Sequence, residues 1–176
     1  MKRLGNYWGM ALTLMLGICA LFVTTVAHAQ IDTDTTPELS KDWTIRVGMF
    51  IFNNKTARAA GGDVGFSGIV ERRVYAGTNY GIHIGIGYNG FGDIYNVPIL
   101  INLLATSNNL RYGFGAGYSF GKRISGRGTS GATLEALIGY QLTRTTNPLS
   151  LDLRYDFISG SNDELDGFSL TLGYQF

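Results

Sequence analysis

From Trp43 to the last residue, side-chain character alternates with a period of two. The clearest stretch is the final one. Phe168, Leu170, Leu172, Tyr174 and Phe176 are apolar or aromatic, and Ser169, Thr171, Gly173 and Gln175 between them are small or polar. Successive side chains of an extended chain point to opposite faces, so this stretch is a strand with two unlike faces. The segment before it repeats the pattern: Leu149, Leu151, Leu153, Tyr155 and Phe157 alternate with Ser150, Asp152, Arg154 and Asp156. Helical geometry would mix these two sets on one surface.

Six further segments alternate in the same way. They are centred on Ile45–Met49, Phe66–Val74, Ile82–Ile86, Val97–Ile101, Tyr112–Tyr118 and Leu134–Tyr140. The second would place Arg72 near a rim, and Pro98 in the fourth predicts a bulge or a local gap in the ladder. Each segment is roughly 9–11 residues, the length a tilted strand needs to cross a bilayer. Eight such strands make the smallest usual transmembrane barrel, whose interior is just filled by side chains. The fold class expected is therefore an all-β, eight-stranded, antiparallel, up-and-down transmembrane barrel over residues 43–176.

The connections are read as long outer loops (53–63, 89–94, 121–131 and 159–167) alternating with short turns (76–79, 107–109 and 145–148), with both ends of the barrel chain on the periplasmic side. Trp43, Tyr80, Tyr112, Tyr140 and Tyr174 would then form one outward aromatic girdle. Tyr88, Tyr118, Phe120, Tyr155 and Phe157 would form the other. A soluble barrel would turn its apolar residues inward and explain neither girdle.

Composition agrees. The chain has 25 glycines in 176 residues and only 15% charged residues, against about 25% in soluble domains. Its mean hydropathy is just +0.08, too low for a bundle of apolar helices. The formal net charge of +1 gives no reason to expect a nucleic-acid partner.

Residues 1–29 read as a cleavable signal peptide: Lys2 and Arg3, an apolar run from Met10 to Val23, then the small-x-small site Ala27-His28-Ala29. Residues 30–42 are polar, contain Pro37 and read as a flexible periplasmic leader. Cys19 is the only cysteine, so the processed chain offers no disulfide and no thiolate metal ligand. Without Lys2 and Arg3 the net charge becomes −1.

Over Trp43–Phe176 the sequence resembles the small outer-membrane β-barrel proteins of Gram-negative bacteria. The resemblance rests on the terminal Gly173-Tyr174-Gln175-Phe176, on Val97-Pro98-Ile99, and on Tyr112-Gly113-Phe114-Gly115-Ala116-Gly117-Tyr118. It implies an outer-membrane location and a C-terminal assembly signal at Tyr174 and Phe176 read by the outer-membrane assembly machinery. No peptidoglycan-binding extension is expected after Phe176.

The inward faces gather Arg46, Glu71, Arg73, Arg111, Glu135, Asp152, Arg154 and Asp156, four charges of each sign. Inside a narrow lumen such groups must pair or be hydrated. The expectation is a salt-bridge network that plugs and stiffens the barrel, with Arg46 and then Arg111 supplying the positive charge that Asp152 and Asp156 need beyond Arg154. The alternative is a small porin-like channel opened by partner exchange. His83, the only histidine after residue 29, faces the lumen, where Ser67, Ser119 and Ser150 are also inward. It is read as part of the polar network and not as a catalytic or metal group. The glycine runs Gly81, Gly85, Gly87 and Gly113, Gly115, Gly117 are read as relief for a crowded lumen rather than a phosphate loop. The loop from Gly121 to Gly128 is basic and would suit lipopolysaccharide phosphates; the fourth, with Asp163, Glu164 and Asp166, is acidic.

The chain is thus expected to be a non-enzymatic, monomeric structural protein in contact with outer-membrane lipids, with no cofactor. A lipid-modifying enzyme and a surface-binding or adhesion protein are the further alternatives.

Overall fold

The computed structural model describes residues 43–143, 147–160 and 163–176. The expected signal peptide and leader lie outside these residues. Eight strands close into one antiparallel barrel in which each pairs with its sequence neighbours and β1 meets β8. They are β1 (Trp43–Phe52), β2 (Gly65–Ala76), β3 (Tyr80–Phe91), β4 (Ile94–Ser107), β5 (Leu110–Lys122), β6 (Gly128–Gln141), β7 (Leu149–Ile158) and β8 (Gly167–Gln175). Closure is completed by two hydrogen bonds of 2.8 Å between the backbones of Trp43 and Phe176. We call the end bearing Trp43 and Phe176 the lower end.

Alternation survives folding. Along β1, Trp43, Ile45, Val47, Met49 and Ile51 are exposed, and Thr44, Arg46, Phe50 and Phe52 are buried inside. Ile84, Ile86, Ile99, Ile101, Ile138, Leu153, Leu170 and Leu172 are likewise exposed outside. A surface so apolar would be expensive in water, whereas it matches a lipid interior. Every named girdle aromatic lies on this outer face. At the lower rim the Arg72 guanidinium rests 5.6 Å from the Trp43 ring centroid, an outward position that its stem allows.

Three local features depart from the expectation. The second outer loop is absent as a loop: β3 continues to Phe91, and only Gly92 and Asp93 connect it to β4. Gly92 adopts φ +57°, which a two-residue turn of this kind requires. The first outer connection contains a short helix, α1 (Lys55–Gly61), where the sequence reading had a loop. The Asn54 side chain caps it by accepting from the Thr56 and Ala57 amides, and Gly62 ends it at φ +115°. In β2 a bulge at Val74 lets Arg73 pair with His83 and Tyr75 with Ile82. Pro98 produces a gap without a bulge. The β3–β4 ladder stops at Ile86↔Ile99 and resumes in register at Asn89↔Asn96, while Pro98 still opposes Ser119 on β5.

Candidate functional site

The lumen has three layers. The middle layer is built on residues of five strands. Arg46 of β1 pairs with Glu71 of β2 and, through Nε at 2.9 Å, with Asp152 of β7. Arg154 of β7 reaches Glu71 at 2.8 Å and Glu135 of β6 at 2.9 Å. Arg111 of β5 donates to Ser150 at 2.6 Å and lies 3.3 Å from Asp152. Arg46, Glu71, Asp152 and Arg154 have fully buried side chains, and Glu135 is 1% exposed. Each of the two central guanidiniums is therefore sandwiched between two carboxylates, the arrangement that makes a buried charge tolerable.

Most of these side chains sit opposite a glycine on an adjacent strand, Arg154 between Leu137 and Ser169 being the exception. Arg46 opposes Gly173, Glu71 opposes Gly85, and Asp152 opposes Gly139. A Cβ on Gly85 would lie 2.7 Å from Glu71 Cγ, and one on Gly139 would overlap Asp152 Oδ1.

The upper layer is polar, then apolar. Asn89 donates to Asp156 at 2.7 Å and accepts from Ser67 at 2.7 Å. Asn96 donates to the Leu165 carbonyl, and Asp166 accepts from the Ile158 amide at 2.8 Å, which ties the fourth outer connection into the barrel mouth. Above them Phe50, Phe52, Ala57, Ile94, Ile158 and Leu165 form a buried apolar cluster with Ile124 against it. Phe50 and Phe52 meet edge to face with centroids 5.0 Å apart. Further out, Arg123 holds Glu164 at 2.8 Å and Lys122 holds Asp93 at 3.0 Å. The hydrogen bond from Arg123 holds the Glu164 carboxyl below the ordinary carboxylate range.

The lower layer is an open mouth of about 360 Å³ lined in part by Arg73, His83 and Arg111.

Of the sequence-derived charges, Arg46, Glu71, Arg111, Glu135, Asp152 and Arg154 meet in one network. Arg73 lines the lower mouth. Asp156 does not join through Arg154, its strand neighbour; it opposes Glu135 in register and is bonded to Asn89. Glu135 Oε1 and Asp156 Oδ1 are buried without a hydrogen-bond partner. Sequence reasoning missed the amides. Asn102 donates to Glu71 at 2.9 Å, and Asn89 and Asn96 organise the upper layer. Position parity was the available signal, since Asn96 and Asn102 fall on the inward register of β4. Tyr174 is outward and stacks on Phe176 with centroids 6.0 Å apart.

No protein-family model matches the chain, and no curated protein does. Solved structures do. Neisserial surface protein A (NspA) superposes with a TM-score of 0.56 over 77% of this chain and 96% of that one, at 15% identity. The fold is that of the small outer-membrane β-barrels. A structure from the de novo design of transmembrane β-barrels also superposes, with a TM-score of 0.50 over 80% of this chain and 99% of the other, at 12% identity. Identities this low carry the barrel architecture and leave the contents of the lumen to be argued from this chain alone.

Proposed function

We propose that this protein is a structural component of a bacterial outer membrane, a monomeric non-enzymatic barrel whose lumen is closed to solutes. The observation that carries the reading is the middle layer: five side chains from four strands, all at most 1% exposed, locked in salt bridges across the lumen. Water-filled pores keep such groups hydrated, whereas buried pairs cross-brace the strands that bear them. The apolar cluster beneath α1 adds a second seal. On this reading the lower end faces the periplasm, export uses the segment at residues 1–29, and the outward apolar band contacts outer-membrane lipid. Phe176, hydrogen-bonded to Trp43 at the closing seam, would be the residue that the assembly machinery reads.

The test is single-channel recording of the purified, refolded chain in planar bilayers. Silence is the expected result. Steady conductance would replace this reading with that of a small diffusion channel.

A further inference from the structure

On the outward register of the strands, the charged side chains among the described residues are Arg72 and Lys122. Lys122 stands at the upper end and is ion-paired with Asp93. Arg72 stands exposed at the lower rim, and no carboxylate among the described residues pairs with it. Its contact is the Trp43 ring, 5.6 Å from the guanidinium carbon to the centroid. A ring offsets part of the charge, but it does not satisfy the five N–H donors of a guanidinium. On a wall that faces lipid those donors need another acceptor.

The second observation is the bulge in β2. In an unbroken ladder Val74 would follow Arg72 on the outer face, and Tyr75 would enter the lumen. The extra residue at Val74 resets the parity, so Tyr75 opposes Ile82 and shares the outer face with Arg72. There it meets Tyr80, with ring centroids 5.7 Å apart and hydroxyls 3.4 Å apart. One phenol can donate to the other, which leaves the second O–H to donate outward. Towards the middle of the barrel the same face continues as Ile45, Val70 and Ile84, all exposed.

We propose that this stretch of the lower rim is a binding site for one phospholipid. Arg72 and the Tyr75–Tyr80 hydroxyls hold its phosphodiester, and its acyl chains lie along Ile45, Val70 and Ile84. A phosphodiester offers the oxygen acceptors that a guanidinium fork fits. The aromatic rings suit the headgroup level, where one end of the side chain is apolar and the other wet. With the lower end towards the periplasm, as proposed above, the lipid belongs to the periplasmic leaflet; the site itself does not depend on a closed lumen.

The test uses the full chain refolded in detergent micelles. It is titrated separately with dipalmitoyl phosphatidylglycerol, with dipalmitoylglycerol, which has the same chains and no phosphate, and with sodium phosphate. Native mass spectrometry counts the molecules retained. Saturation at one phosphatidylglycerol per chain is expected, and neither of the other two should reproduce it. Arg72→Gln, checked for folding by its mobility on an unheated gel, should raise the midpoint about tenfold through loss of one charged contact. Lys122→Gln should leave the midpoint unchanged. Equal retention of dipalmitoylglycerol would overturn the proposal, because the phosphate would then contribute nothing. Displacement of the lipid by sodium phosphate would overturn it in favour of a free oxyanion site. An unchanged midpoint in Arg72→Gln, or an equal rise in both variants, would also sink it. The titration of the unmutated chain decides the matter even where a variant does not fold.

Discussion

Arg154 shows what a buried charge does for this barrel and what losing it entails. It bonds Glu71 and Glu135 with no exposed surface of its own. Arg154→Ala takes from the buried Glu71 and Glu135 the cation they share, and we expect a loss of roughly 3–5 kcal/mol in urea unfolding from lipid vesicles. A loss under about 1 kcal/mol would mean that water already screens the site. Asp156 is expected to behave in the opposite sense. It faces Glu135 across the ladder, and like charges in that position repel. Asp156→Asn keeps an acceptor for Asn89 and can offer an N–H to Glu135 Oε1, so it should be neutral or stabilising by about 1 kcal/mol in the same assay. These side chains were readable in the sequence as inward charges, because parity on a strand fixes the face. Their partners were not all readable. Arg154 and Asp156 are two residues apart on the same face, which suggests a pair, but the Arg154 side chain turns instead to Glu71 and Glu135 on other strands. Register alone does not say which way a long side chain leans.

At the level of elements, strand existence was plain and strand ends were not. The alternation read from the sequence ends at Tyr88, and 89–94 reads as a long outer loop. The strand runs on to Phe91 because Asn89 is more useful inside, where Ser67, Asn96 and Asp156 all bond to it. The turn falls instead at Gly92 and Asp93. Helix α1 had its own signal in Asn54 followed by Lys-Thr-Ala-Arg-Ala-Ala and two glycines, an N-cap, good helix formers and a stop. The period-two background masked it. The outer connections are joined by the Arg123–Glu164 pair, and its pH dependence has a definite sign. The Glu164 carboxyl is held below its ordinary value, so the stability it lends the fourth connection is full above that ordinary value and is lost as pH falls through the lowered one. Limited proteolysis of that connection should therefore accelerate on acidification. Glu164→Gln should cut at the faster rate already at neutral pH and show little further change; equal rates for both proteins at neutral pH would remove the pair as a brace.

For the molecule as a whole, closure is the property that packing enforces most strongly. A closed, lipid-adapted barrel should resist unheated detergent and migrate faster on a gel before boiling than after. Removal of Phe176 takes away both closing hydrogen bonds to Trp43, and the folded fraction after refolding should fall; an undiminished yield would show that the seam closes without it. The pairing of bulky lumen residues with glycine on the adjacent strand has a consequence for how such a sequence can drift. Each rung of the interior behaves as a fixed volume shared by two staves. Bulk can migrate across a rung, as an exchange of Gly139 with Asp152 would do, while the sum stays constant. Neither stave can take on an extra carbon alone. A single enlargement at Gly85 or Gly139 would act as a wedge between strands, whereas its reciprocal double substitution would return the rung to its original girth.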